Sequence, residues 1–187
     1  MKMPSQGAAQ QPEKEWERRA ASFASSLMAE PDADSVARLA AFGDGDADHA
    51  LWELRYLRRA LGLLIAGRDA LDDRTASLVG QALARAVEQD PSTAPAMRAT
   101  SAAQFNVRLR LYRDVMGQRG GSRTPLAPLG QALVAFAGGG AARDADLWST
   151  GWIAAEFDRC NEGLRDEFGT VDLPADVAPS ALLLPRR

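Results

Sequence analysis

The sequence predicts an all-α fold, a single-domain bundle of about five to seven helices with flexible amino- and carboxy-terminal tails. Three observations carry this. The long segments close on a 3.6-residue period, glycine, proline and aspartate punctuate them, and the one alternating stretch has no partner strand.

The clearest element is Ala47–Ala66. Its Ala50, Leu54, Leu57, Leu61 and Leu64 recur at four- and three-residue spacing, which sets them on one side of a helix. Asp72–Gln89 repeats the pattern with Ala76, Val79, Leu83 and Ala86, opposite Arg74, Ser77, Gln81, Arg85 and Glu88. Gly67 suits a left-handed C-terminal stop, and Asp69 or Asp72 suits the next amino-terminal cap. These two helices are therefore expected to pack antiparallel. Small residues on each, Ala76, Gly80 and Ala84 against Gly62 and Ala66, predict axes at the near end of the usual ~8–10 Å range.

Upstream, Met1–Gln11 is polar and glutamine-rich and reads as a disordered segment before the helical domain of residues 12–168. Pro12 suits a first helical turn, and Glu13–Glu30 carries Trp16, Ala20, Phe23 and Leu27 in line before Pro31. Asp34–Phe42 is a shorter helix stopped by Gly43. Downstream, Pro91–Pro95 is a loop and Ala96–Gly117 resumes with Ala102, Phe105, Leu109, Tyr112 and Met116. Phe105, Val107, Leu109 and Leu111 also alternate as a strand would, but helical spacing continues on both sides and decides for helix. Gly117–Pro128 is a loop, Leu126–Ala137 a short apolar helix and Gly138–Gly140 a break. Asp144–Phe168 closes the domain with a stripe of Ile153, Phe157, Cys160, Leu164 and Phe168. Residues 169–187 form an extended tail with the apolar run Leu182–Leu184.

Composition narrows the function classes. A net charge of -3 argues against general nucleic-acid or anionic-membrane binding. Cys160 is the single cysteine, so no intramolecular disulfide forms, and its place on a core stripe marks it as a buried, inert thiol. No apolar run reaches the ~18 residues of a membrane span and no apolar signal core opens the chain, so residence in the cytoplasm is expected.

Some helices are apolar on two faces. Trp52, Tyr56 and Leu63 fall opposite the leucine stripe of Ala47–Ala66, and Val107, Leu111 and Val115 fall opposite the stripe of Ala96–Gly117. Such helices sit centrally in a bundle or bury the second face in a complex. Trp148 and Trp152, four residues apart, lie opposite the Ile153–Leu164 stripe and are candidate anchors for a partner, together with Trp52 and Tyr56.

The place to look for chemistry is the acidic turn Asp44-Gly45-Asp46-Ala47-Asp48-His49. A calcium loop needs glycine at its sixth position and glutamate at its twelfth, where this chain has His49 and Arg55, so capping of the following helix explains the aspartates better. His49 and Glu53 are one turn apart with Tyr56 beside them, a spacing that suits proton transfer. His49, Glu53, Asp69, Asp72 and Asp73 could together hold magnesium or manganese. A structural polar cluster is the simpler reading. The chain has no phosphate-binding glycine loop and no nucleophile elbow, and Arg108, Arg110, Arg113, Arg119 and Arg123 form a basic stretch of the kind that usually faces solvent.

Asp48-His49 leading into Glu53-Leu54 resembles the aspartate–histidine motif of the helical chaperones that mature molybdenum oxidoreductases. The resemblance is confined to that stretch, lies earlier in the chain than in that family, and no function is taken from it. The expected function is that of a non-enzymatic helical interaction protein, needing no cofactor, which associates with itself or another protein through leftover apolar and aromatic faces. The alternative is a small helical metal-dependent hydrolase built on the His49 cluster.

Overall fold

Two apolar faces on one helix predict either a central position or a face buried in a complex, and a computed structural model gives the central position to Ala47–Asp69. It describes residues 7–69, 73–117 and 125–169, without the side chains of 7–12 and 69. Seven α-helices follow one another among the described residues: α1 Gly7–Leu27, α2 Ala33–Phe42, α3 Ala47–Asp69, α4 Asp73–Glu88, α5 Arg98–Gly117, α6 Leu126–Phe136 and α7 Arg143–Phe168. A 3-10 turn, Pro95–Met97, leads into α5. The described residues form no strand, so the alternating stretch around Val107 is helical.

Helix α3 touches each of the other six α-helices, and every residue from Glu53 to Gly62 is buried. Of its second face, Tyr56 is consumed inside the fold, while Trp52 and Leu63 are half-buried. Around it, α1 packs chiefly on α4 and α7, and α6 packs on α7. Gly62 leaves room on α3 for a neighbour. A Cβ there would run into the Leu27 side chain of α1, so the glycine lets α1 lie against α3.

Several boundaries differ from expectation, each for a local reason. Helix α1 begins at Gly7, upstream of Pro12, because the proline sacrifices only one intrahelical bond and Ala8 to Gln11 are good helix formers. Helix α3 continues through Gly67, which stays right-handed; a glycine costs about 1 kcal/mol inside a helix but does not stop one. Helix α4 packs on α1 more than on α3, and its small-residue row does not draw the α3 and α4 axes together: a Cβ at Gly80 would meet nothing within 4 Å. The tail after Gly169 and the first six residues lie outside the described residues, as do Asp72 and the arginines Arg119 and Arg123.

Asp32 caps the start of α2 by accepting the Ser35 N–H at 2.8 Å. Three further devices fix the turn before α3. Gly43 lies so close to the Ala137 carbonyl that no side chain fits there. Gly45 takes φ 85°, a left-handed conformation that suits glycine, and the Asp44 N–H donates to the Ala137 carbonyl at 3.2 Å. The acidic turn is thereby pinned to the end of α6.

Candidate functional site

The pinned turn aims Asp44 at His49. The Asp44 carboxylate accepts the Asp46 N–H at 3.0 Å and meets His49 Nδ1 at 3.1 Å. The backbone hydrogen bond from Asp46 first, and His49 second, hold the Asp44 carboxyl below its usual range. Asp46 in turn accepts the N–H groups of Asp48 and His49 at 2.9 and 3.1 Å. The aspartates therefore cap α3.

One turn on, His49 Nε2 lies 3.5 Å from Glu53 Oε1. Glu53 is 1% exposed, and both of its oxygens accept from the Arg108 guanidinium, Oε2 at 3.0 Å from Nε. The same guanidinium lies 4.5 Å from the Phe136 ring centre and 5.5 Å from that of Tyr56. Tyr56 donates to Gln104 Oε1 at 3.0 Å and sits 3.1 Å from Ser101 Oγ. Burial raises the Tyr56 phenol above its ordinary range, so it stays neutral. These groups line an open cavity of about 440 Å³ with Trp52, Met97, Ser92 and Thr93. Its Glu53, Tyr56, Gln104 and Arg108 already have partners, and its open mouth carries Asp46 and Asp48.

A second cavity, about 420 Å³, lies on the far side of Thr93 and Ser101, which line both. It is a groove between α4 and α5 floored by Leu63 of α3 and walled by Leu83, Val87, Phe105 and Leu109. Gly80 and Ala84 leave it open where larger residues would fill it. Glu88, Arg98 and Asn106 stand among its polar members. Thr93 Oγ1, in the shared wall, is buried with no hydrogen-bond partner.

The structure thus brings His49, Glu53 and Tyr56 together and places Trp52 at the same mouth, its ring 5.7 Å from Tyr56 and 4.6 Å from the Arg55 guanidinium. Tyr56 itself is only 2% exposed. Asp73 is exposed in the first turn of α4, the Asp69 side chain and Asp72 lie outside the described residues, and no group of three His, Cys, Asp or Glu side chains among those described is placed to hold a metal. Trp148 and Trp152 stack at 6.4 Å, half-buried against the core, with Trp148 5.7 Å from the Phe42 ring of α2. Cys160 is buried, and burial pushes its thiol up to about 12. On α5, Val107 and Leu111 remain exposed.

Sequence reasoning missed Arg108 as the partner of Glu53, since nothing in the spacing links residues so far apart. It also missed the groove, although Gly80 and Ala84 were its signal. No described helix is long and apolar enough to cross a membrane. Compared with protein families, curated proteins and solved structures, the chain matches none.

Proposed function

We propose that this protein is a non-enzymatic helical interaction module whose α4–α5 groove receives an apolar stretch of polypeptide. The supporting observation is the groove itself, about 420 Å³ of open space between aliphatic and aromatic walls. That volume falls in the roughly 300–1,000 Å³ range of binding sites, and apolar grooves between helices are common docking sites for amphipathic segments. Seating three aliphatic side chains contributes about 4.5–9 kcal/mol before ordering costs, against the about 8 kcal/mol of a micromolar complex.

The hydrolase alternative asks more of the same residues. A metal or substrate at His49 and Glu53 would compete with Arg108 for both Glu53 oxygens and with Asp44 for His49 Nδ1. That cluster reads more simply as a brace holding α3 to α5.

Titrating the full chain with a neutral solvatochromic naphthalene dye tests the groove. Ala84→Trp fills the space from an exposed helix position and is expected to weaken dye binding about tenfold, a change of ~1.4 kcal/mol. Its melting temperature should stay close to that of the parent. Unchanged dye binding in Ala84→Trp would remove the groove from consideration.

A further inference from the structure

We propose that residues 181–187 of this chain, Ala-Leu-Leu-Leu-Pro-Arg-Arg, fold back onto the α4–α5 groove, leucines in its apolar half and arginines toward the acidic mouth beyond Thr93 and Ser101. The inference rests on the interaction reading above and names the groove's first occupant, which a partner would have to displace.

The match is one of order and sign. The groove is apolar and the adjoining cavity opens on Asp46 and Asp48, the two meeting at a shared wall. The tail carries an apolar block followed directly by two cations. A run of three leucines is costly to leave in water, and Arg186 and Arg187 are matched in sign by the exposed Asp46 and Asp48, for which no ion pair is seen among the described residues.

Reach is sufficient. Helix α7 ends with the Phe168 ring centre 5.5 Å from that of Trp16 of α1, and Glu167 accepts from Ser22. Helices α1 and α4 run side by side in the same direction, since Glu13 meets Arg74 at 3.3 Å while Ala21, Ser25 and Met28 share a cavity with Ala82, Ala86 and Gln89. The groove begins farther along α4, at Gly80, and ends by Glu88. From Arg74 to Val87 is about 20 Å along the helix axis. Twelve residues, 170 to 181, are enough chain to span up to about 40 Å.

The test uses the full chain and the same dye. Replacing Leu182, Leu183 and Leu184 together by serine should tighten dye binding about tenfold if the groove stands open a tenth of the time. Arg186→Glu with Arg187→Glu should tighten it about threefold, and less in high salt. With a photo-reactive benzoylphenylalanine at position 181, cross-links should fall within one chain, on peptides from residues 80–109. If the leucine variant binds dye as the parent does while Ala84→Trp still weakens binding, the tail inference falls and the groove reading stands. If Ala84→Trp changes nothing, both fall. Cross-links that join two chains would overturn folding back in favour of a second copy as occupant, and cross-links elsewhere in the chain would overturn it outright.

Discussion

The two cavities on either side of Thr93 and Ser101 are nearly equal in volume, about 420 and 440 Å³, yet they differ in what remains unsatisfied. In the polar one, Arg108 meets Glu53, Asp44 meets His49 and Gln104 meets Tyr56. In the apolar one, Leu63, Val87, Phe105 and Leu109 face open space over the buried Leu83. Volume alone therefore does not mark a binding site. A cavity whose buried polar groups already pair with one another is a brace, while apolar walls left facing solvent gain from an occupant.

The largest expected effect tests the brace. Glu53→Ala strands the Arg108 guanidinium, which is 14% exposed, and should cost about 3–5 kcal/mol in a denaturant titration. Pairing Glu53→Leu with Arg108→Met should recover most of that loss, because no buried charge is then left alone. A loss below 1 kcal/mol for Glu53→Ala would mean that Glu53 is free for other work, and the hydrolase alternative would gain.

On the groove side, Leu83→Ala enlarges the cavity from within. Leu83 is 2% exposed, so truncation should lower stability by about 2–3 kcal/mol while leaving dye binding intact or stronger. Lost dye binding with unchanged stability would instead show Leu83 contacting the dye without supporting the core.

Much of the bundle was legible because helix periodicity is local. The stripes of α3, α4 and α7 are each visible within a few turns, and Val79, Leu83, Ile153, Cys160 and Leu164 are buried as their spacing implied. Legibility stopped where the decisive partner is distant in sequence. Arginines 55, 58 and 59 have no partner that local spacing reveals, yet each is buried against a carboxylate brought by another segment: Glu30, Glu156 at 2.6 Å and Asp90 at 3.1 Å. The same blindness hid Arg108. It also misplaced Gly80 and Ala84, since a small-residue row reads identically whether a helix or an open groove lies over it.

A smaller effect concerns Asp90, which ties the loop after α4 to Arg59 of α3. Burial pushes its carboxyl up, but the Ser92 hydroxyl and N–H together with Arg59 more than offset this, so the net shift is downward. A carboxyl lowered on folding stabilises above its unfolded value, near 3.8, and loses that contribution as pH falls through the folded one. Acid unfolding of Asp90→Asn should accordingly be less steep below about pH 4 than that of the parent. Superimposable pH profiles of parent and variant would show that Asp90 contributes nothing to this dependence.

The smallest effect falls on the wall common to both cavities. Thr93 is 5% exposed, and its hydroxyl has no partner although its N–H donates to the Asp90 carbonyl at 3.2 Å. A buried hydroxyl without a partner carries its desolvation cost unrelieved, so the near-isosteric Thr93→Val should stabilise the protein by up to about 1 kcal/mol. The variant also makes the wall apolar on both sides. If the groove's occupant makes only apolar contacts there, dye affinity will hold or rise slightly. A destabilised Thr93→Val would mean that the hydroxyl finds a partner in solution, most simply a water bridging the two cavities, and the boundary between brace and groove would then be wet.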